Sequence, residues 1–598
     1  MSVPTRGTDG ADGTAQATFA ATMVDEWRRG GVTDAVVCPG SRSTPLALAL
    51  GGTDGLRTHV RLDERSAGFY AVGLARSSGR PVVVCTTSGT AAAELHPAVL
   101  EAHLSQVPLI VCTADRPPEL HHVGAPQTVD QTNLYGPAVR WSAEPGVPES
   151  AVSHTWRPLA ARALAEAGTG PHGPGPVHLN LAFRDPLAAD PGPLPPGRPG
   201  HRPVAEVHGL VTVPDGVLAS AAARWSGRRG LFVAGEGSPP ASDLLALARV
   251  LGWPVLADPR SGCRVADPAV VAAADSLARS TAVRRVLVPD VVVALGAPWT
   301  SKALTELLAA AAADQAEIVA VDPWWRWRDP ERLVTETHRA EPAGWVRSLL
   351  GHVGEGTMGG EWLAAWQAAE KSAQSAIEEV VDGDHGGRGQ LSEPAVARRL
   401  LGLLPAGSEL VASSSMPVRD LEWFSPPMDD PPLVRANRGA NGIDGVCSTT
   451  LGAAAAGRGP VVGLVGDLAF LHDVSALVRP SGPAGPSASC TLVVVDNGGG
   501  GIFNFLPQAT SVAGADFERL FATPQRVDVV SVAAGFGVPT LEVATAEELD
   551  EAIRTTVGRH DLAVIVARVL DRVANVALHD RVHDAVSRAA EGSLARSG

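Results

Sequence analysis

VVGLVGDL (461–468) and TLVVVDNGGGG (491–501) are the two stretches whose reading decides the fold. Each is an unbroken apolar run, rich in β-branched residues, with no alternation of polar and apolar positions. A strand of that kind is buried on both faces, as in a parallel sheet covered by helices on either side. Gly466-Asp467 stops the first run and Asp496-Asn497 the second. In an open parallel sheet such residues lie beyond the carboxyl ends of the strands, where ligands collect. The same design recurs upstream in DAVVCPG (34–40), PVVVCTTSG (81–89), PLIVCTAD (108–115), LFVAGEG (231–237), VVVALGAP (291–298), IVAVDP (318–323) and LVASSS (410–415). The chain reads as α/β, built from three doubly wound parallel-sheet domains.

Two breaks set the boundaries. Pro186–Pro203 carries seven prolines in 18 residues, and Gly383–Gly389 (GDHGGRG) is glycine-rich. Neither can continue a helix or a central strand, so the domains are expected at 1–190, 204–380 and 390–598. Pro480–Ser487 is read as an internal loop. The 598 residues are 45% hydrophobic and 19% charged, ordinary for a globular chain that buries large cores. A net charge of −15 argues against nucleic-acid or anionic-membrane partners. The apolar runs are strand-sized, far short of the ~18 residues of a membrane span, and the N-terminus has no secretory apolar core. The six cysteines show no CxxC or zinc spacing, which points to reduced thiols in a cytoplasmic protein. Only Lys302 and Lys371 are lysines, so the basic residues are almost all arginine.

Asp467 and Asn497, at the mouths of two buried strands, offer a carboxylate and an amide oxygen, and Gly498–Gly501 lets backbone approach a ligand. Hard oxygen donors of this kind suit Mg²⁺, which keeps further positions for phosphate oxygens. Alone, GD or DN is an ordinary turn dipeptide. The pair, at this spacing and after two such strands, favours a site. Leu62-Asp63-Glu64-Arg65 precedes a helical stretch with small residues along it (66–79). By itself Glu64 reads as a solvated first-turn residue stabilised by the helix dipole. Gly235-Glu236-Gly237 lacks a full GxGxxG and reads as a plain turn. The histidines, His121-His122 included, show no metal spacing. The tryptophan-rich run Asp322–Trp327 reads as an interface or a helix-start packing cluster.

The Gly466-Asp467-Leu468 and Asp496-Asn497 pair resembles the thiamine-diphosphate motif of that enzyme family, GDG followed some thirty residues later by NN. CPGSRSTP (38–45), DER (63–65), TSGT (87–90), TADRPPEL (113–120), NRGANGIDG (437–445) and GIF (501–503) follow the order of its 2-succinyl-5-enolpyruvyl-6-hydroxy-3-cyclohexene-1-carboxylate synthase branch, from about residue 30 to about 510. The resemblance implies a thiamine-diphosphate-binding fold in which a pyrimidine domain (1–190) and a diphosphate and metal domain (390–598) flank a central scaffold. It implies a transferase of menaquinone biosynthesis that decarboxylates 2-oxoglutarate and adds the succinyl semialdehyde unit to isochorismate. Thiamine diphosphate and Mg²⁺ or Mn²⁺ are the implied cofactors, with Asp467, Asn497 and the Gly499 carbonyl on the metal. Glu64 would bind the aminopyrimidine ring, which then takes up the C2 proton. Pro39, Gly89, Ser415, Ile443, Gly466, Leu468, Ile502 and Phe503 would complete the cofactor's surroundings, the apolar ones keeping water out.

Both implied substrates are dicarboxylates, and arginine's planar fork suits them. By family position Arg419 and Arg438 serve 2-oxoglutarate, while Ser41, Arg42, Arg116, Gln127 and Lys302 serve isochorismate. Two positions depart from the family pattern: Met416-Pro417 before Arg419, and Pro126 before Gln127, where proline removes a backbone donor. The resemblance also implies a homodimer or homotetramer, with Glu64 and Asp467 of different subunits sharing one cofactor. Two other readings stay open: a pyruvate-using carboligase or benzoylformate-type decarboxylase with the same cofactor, and a non-catalytic diphosphate-binding protein.

Overall fold

The computed structural model describes residues 9–597 apart from 210, 298–299, 325, 355–359, 384–388, 480–488 and 560. Three six-stranded sheets follow one another along the chain. The first holds β1 (Asp34–Val37), β2 (Arg57–Val60), β3 (Val82–Thr86), β4 (Leu109–Asp115), β5 (Ser142–Ala143) and β6 (Pro176–Ala182), in the order β2-β1-β3-β4-β6-β5. The second holds β7 (Gly230–Ala234), β8 (Val255–Ala257), β9 (Val270–Val271), β10 (Val291–Leu295), β11 (Glu317–Val321) and β12 (Glu336–His338), ordered β12-β11-β10-β7-β8-β9. The third holds β13 (Glu409–Ala412), β14 (Leu433–Ala436), β15 (Val461–Gly466), β16 (Cys490–Asp496), β17 (Thr540–Val543) and β18 (Ala563–Arg568), ordered β14-β13-β15-β16-β18-β17. All pairings of the first two sheets are parallel. So are β13–β14, β16–β18 and β17–β18.

The nine apolar runs read from the sequence are β1, β3, β4, β7, β10, β11, β13, β15 and β16. Their burial follows from their composition, since helices cover both faces. The first and third sheets carry a reversed edge pair, β6-β5 and β18-β17, and the strand order switches direction between β1 and β3, between β7 and β10, and between β13 and β15. Neighbouring strands there send their connections to opposite faces, which opens a crevice beyond their carboxyl ends. In the first sheet that crevice receives CPGS (38–41) and TSG (87–89), and in the third SSS (413–415) and GD (466–467).

By packing the chain forms two compact units. Residues 1–208, 437–461 and 469–490 make one, and 209–436, 462–468 and 491–598 the other. In the first unit the helix Val446–Ala455 lies against the helix Glu64–Ser78 at backbone contact. A Cβ on Gly73 would overlap the Thr449 carbonyl, and one on Gly452 the Tyr70 carbonyl. The small residues of 66–79 thus serve a close helix pair. Gly73→Ala is expected to cost about 1–3 kcal/mol by overpacking, seen as a lower urea midpoint at unchanged slope. A parental midpoint would contradict this packing.

In the second unit the helix Gly360–Val381 packs along the long C-terminal helix Arg572–Ser597. Pro186–Pro203 forms no strand and no α-helix. Most of Gly383–Gly389, and Pro480–Ser487 as a whole, lie outside the described residues, as does Trp325. The tryptophan-rich run is a loop after β11 and starts no helix, so the helix-start reading is corrected. Asp322 there accepts the Trp324 N–H and pairs with Arg326, and Trp327 is 77% exposed. Gly235–Gly237 closes a turn, with the Ser238 N–H donating to the Gly235 carbonyl at 3.1 Å. All six cysteines are free and buried. Among the described residues no helix is long and apolar enough to cross a membrane.

Candidate active site

In the first unit the groups converge on the carboxyl ends of β1, β3 and β4. Glu64 opens its helix, with Asp63 as the capping residue accepting the Ser66 N–H at 3.1 Å. Burial pushes the Glu64 carboxyl above its ordinary value, and the neighbouring Asp63 and Glu94 charges add to this. The Cys38 thiol at the end of β1 is pushed up by burial and by Glu64, which puts that carboxyl beside the crevice. Pro39 and Ser41 are exposed in the loop that follows β1. Gly40 is obligatory there, because a Cβ would overlap the Thr87 side chain.

Arg42 is buried, donating from Nη1 to the Phe183 carbonyl at 2.9 Å and to Asp185 at 3.4 Å. Its Nε is buried with no hydrogen-bond partner among the described residues. Arg116 lies close by, held below the ordinary guanidinium value by burial and by the Arg42 charge. Two guanidiniums thus lie together beside the exposed Asp185 and the buried Asp115, and the planar fork of each suits a carboxylate.

Gln127 is stitched to the end of β3. Its Nε2 donates to the Ser88 carbonyl, and its own carbonyl accepts from the Ser88 hydroxyl, both at 3.0 Å. Gly89 presses on Gln127 and donates its N–H to Gln131 Oε1 at 2.9 Å. Pro126 has no N–H to offer, yet its carbonyl accepts Nε and Nη2 of Arg116 at 3.3 and 3.1 Å. The departure at Pro126 therefore leaves intact the backbone carbonyl that holds Arg116.

The loop of Arg438 and Ile443 belongs to the same unit. Glu101 clamps it, its two carboxylate oxygens accepting the Gly439 and Ala440 N–H groups at 3.0 and 2.8 Å. Gly445, at φ +67°, sits where a Cβ would overlap the Phe69 ring. Arg438 is half-buried and Ile443 exposed.

The second unit carries the other group of residues. Asp467 is buried and opens a helix, and its Oδ1 accepts the Leu468 N–H at 2.7 Å. Burial, with Asp496 adding, pushes its carboxyl up to about 7 against the N–H groups of Leu468 and Gly499. Gly466 and Leu468 flank it half-buried. Asp496, in the place of the motif's first Asn, is drawn aside by Arg568 and accepts the Gly498 N–H at 3.2 Å. Asn497 donates Nδ2 to Glu393 at 2.7 Å, while its Oδ1 is buried with no hydrogen-bond partner among the described residues. Gly499, at φ +133°, lies where a Cβ would overlap the Ala522 carbonyl, so only glycine fits.

A buried carboxylate, an orphaned amide oxygen and a backbone turn restricted to glycine form a donor set fitted to a hard divalent cation. Among the described residues no cluster of three or more His, Cys, Asp or Glu could hold a metal. The mixed oxygen set is thus the arrangement on which a metal reading rests.

Ser415, which caps the helix Met416–Phe424 in the loop after β13, sits at φ +76°, a strained backbone for a residue other than glycine. Its carbonyl accepts Arg419 Nη1 at 2.6 Å, and burial holds Arg419 below its ordinary value. The Met416-Pro417 departure is absorbed locally. Pro417 occupies the first turn of the helix Met416–Phe424, where its missing N–H is not needed, and Met416 is core. Ile502 and Phe503 lie half-buried in the turn Gly501–Phe505. Lys302 is exposed at the start of the helix Lys302–Ala313. It belongs to the second unit, whereas Ser41, Arg42, Arg116 and Gln127 belong to the first.

Sequence reading did not single out Glu393, Asp420, Asn575 and His579. Glu393 looks like any acidic first-turn residue after a serine cap. His579 pairs with Asp420 at 2.7 Å, both buried, and its Nδ1 faces the Asn575 carbonyl at 2.8 Å. Burial opposes its charged form, but the Asp420 hydrogen bond and charge more than offset this and raise it.

The comparisons agree with one another. The thiamine pyrophosphate enzyme N-terminal domain model matches residues 17–134, the middle domain 208–411 and the C-terminal domain 439–567. The chain is 44% identical over 581 residues (96% of this chain, 99% of the relative) to the 2-succinyl-5-enolpyruvyl-6-hydroxy-3-cyclohexene-1-carboxylate synthase of Thermobifida fusca. It is 41% identical over 583 residues to the same synthase of Myxococcus xanthus and 38% over 573 to that of Bacillus velezensis, each covering 94% of this chain and 96% of the relative. In fold it is similar to the benzoylformate decarboxylase of Polynucleobacter necessarius, with TM-score 0.70 at 20% identity over 92% of this chain and 98% of that one.

Proposed function

The chain belongs to the 2-succinyl-5-enolpyruvyl-6-hydroxy-3-cyclohexene-1-carboxylate synthase family of thiamine-diphosphate enzymes, and from that premise we propose how its residues divide the reaction. The reaction is decarboxylation of 2-oxoglutarate followed by addition of the succinyl semialdehyde unit to isochorismate, in menaquinone biosynthesis. The observation that carries the substrate assignment is the Arg42 and Arg116 pair with the unpartnered Arg42 Nε. A substrate with two carboxylates gives this arginine pair a use that a monocarboxylate does not.

Bound thiamine diphosphate supplies the carbon nucleophile and the electron sink. Glu64 hydrogen-bonds the aminopyrimidine ring, with Pro39 and Gly89 shaping the wall around it. Asp467, Asn497 and the Gly499 carbonyl would hold Mg²⁺ (or Mn²⁺), whose charge would offset that of the diphosphate, with Gly466, Leu468 and Ser415 beside them. Ile443, Ile502 and Phe503 exclude water beside the reacting carbon. Arg419 and Arg438 take the carboxylates of 2-oxoglutarate. Ser41, Arg42, Arg116, Gln127 and Lys302 take isochorismate. The enzyme works as a homodimer or homotetramer in which Glu64 and Asp467 of different protomers serve one cofactor.

The test is a substrate screen with thiamine diphosphate and Mg²⁺, following CO₂ release and isochorismate absorbance. 2-Oxoglutarate should be consumed and pyruvate should not, and equal consumption of both would overturn the assignment. Arg116→Ala should raise the KM for isochorismate roughly 10–100-fold, the loss expected of a charge-assisted contact, with the KM for 2-oxoglutarate little changed. An unchanged KM for isochorismate would remove Arg116 from that pocket.

A further inference from the structure

The metal ligands assigned above leave one question open: what turns the Asn497 amide so that its oxygen, and not its nitrogen, faces the cation. We propose that Glu393 and Asn575 are positioning residues for the metal site, a buried brace in which Glu393, at the start of the helix Glu393–Leu403, fixes the Asn497 amide and is itself held by Asn575 on the C-terminal helix. The inference rests on the metal reading given under the proposed function.

Glu393 Oε1 accepts two amide donors, Asn497 Nδ2 at 2.7 Å and Asn575 Nδ2 at 3.0 Å. The Oε1 atom, already taking two N–H donors, is an acceptor at this position, so it selects the nitrogen end of the Asn497 amide. The Oδ1 then points away, which is where it lies buried and without a partner. Reversing the amide would set Oδ1 against a carboxylate oxygen and aim an NH₂ group at the cation. Gly501 leaves the room this needs, since a Cβ there would come within 2.5 Å of Asn497 Nδ2.

The brace is fixed in its turn. Asn575 and Glu393 are both buried, and the Asn575 carbonyl is held by His579 Nδ1 at 2.8 Å. The other nitrogen of His579 is tied to Asp420, on the helix that carries Arg419. The helix Arg572–Ser597 therefore reaches the metal loop through Asn575 by way of Glu393, and the arginine helix through His579. Orienting partners of this kind set the affinity of a metal site, and losing one typically costs 10–100-fold.

The experiment uses the full chain with saturating thiamine diphosphate and no substrate, titrated with Mn²⁺ while free Mn²⁺ is read by EPR. Glu393→Ala should weaken Mn²⁺ binding roughly 10–100-fold. Glu393→Gln keeps an acceptor oxygen at the same place and should restore binding to within about fivefold of the parent, a rescue that mere space-filling does not predict for a polar substitution in the core. A folded Glu393→Ala chain with parental Mn²⁺ affinity overturns the proposal, as does a Glu393→Gln chain as weak as Glu393→Ala. If Glu393→Ala does not fold, Asn575→Ala decides in the same assay: a loss of more than threefold supports the brace and parental affinity overturns it. Because substrate is absent, a wrong substrate assignment leaves this result untouched. A parental chain that binds no Mn²⁺ overturns the metal reading and the brace together.

Discussion

Glu64→Gln is expected to lower the turnover of 2-oxoglutarate by about 10²–10⁴-fold, the range for a lost acid–base contact, while thiamine diphosphate still binds within a few-fold. Glutamine keeps the size and one acceptor oxygen, so the helix and its Asp63 cap have no reason to shift. What it loses is the charge that favours a protonated ring nitrogen. The site is arranged to make that charge effective. Glu64 is half-buried and crowded by Asp63 and Glu94, and burial together with those neighbours raises its carboxyl. A carboxyl raised in this way binds a proton, or a protonated partner, more tightly than a solvated one would. Two readouts check the prediction: CO₂ release, and the rate at which the C2 proton of the bound cofactor exchanges with deuterated solvent. Both should fall together. Exchange at the parental rate would show that Glu64 does not act on the ring, and turnover within fivefold of the parent would remove it from the chemistry.

The sequence pattern made the sheets legible because parallel strands buried on both faces leave continuous apolar runs. It was less informative where a buried strand carries polar side chains. In β6, His178 and Asn180 are buried and meet Thr113 Oγ1 of β4 at 2.8 and 2.9 Å. Their partners come from a strand far away in the chain, so no local pattern announces them. The same distinction governs the site. Asp467 and Asn497 stood out as candidates because each follows a buried strand, whereas Glu64 alone read as a solvated first-turn residue and became a candidate only through the family resemblance. Glu393 and Asn575 were not legible, for they act through contacts 104 and 182 positions apart. Glu101 was silent for the same reason, its two hydrogen bonds reaching a loop more than 300 positions away. The glycines lie between these cases. Gly73 and Gly452 are visible as small residues, but the helix pairing that requires them appears only in three dimensions.

Asp467→Asn should abolish metal-dependent binding of thiamine diphosphate and at the same time stabilise the metal-free chain. The two effects have one cause. The Asp467 carboxyl is buried, with Asp496 near it, and is pushed from 3.8 up to about 7. Between those two values the unfolded chain has released this proton and the folded chain still holds it. The unfolded state thus binds fewer protons, and stability falls as pH rises through that window. Below about 3.8 the group costs nothing, and above about 7 its full cost is present. One pKa unit corresponds to about 1.4 kcal/mol, so the cost at neutral pH is on the order of a few kcal/mol. In urea unfolding with chelator present, Asp467→Asn should be about as stable as the parent near pH 4 and more stable by about 1–3 kcal/mol near pH 7.5. Mg²⁺ with thiamine diphosphate should reverse the order. A ligand at one hundred times its Kd adds about 2.7 kcal/mol to a chain that binds it and nothing to one that does not. An Asp467→Asn chain that gains stability from Mg²⁺ and thiamine diphosphate as the parent does would take this residue out of the metal site. Two chains with the same pH dependence in chelator would show that the buried carboxyl carries no such cost.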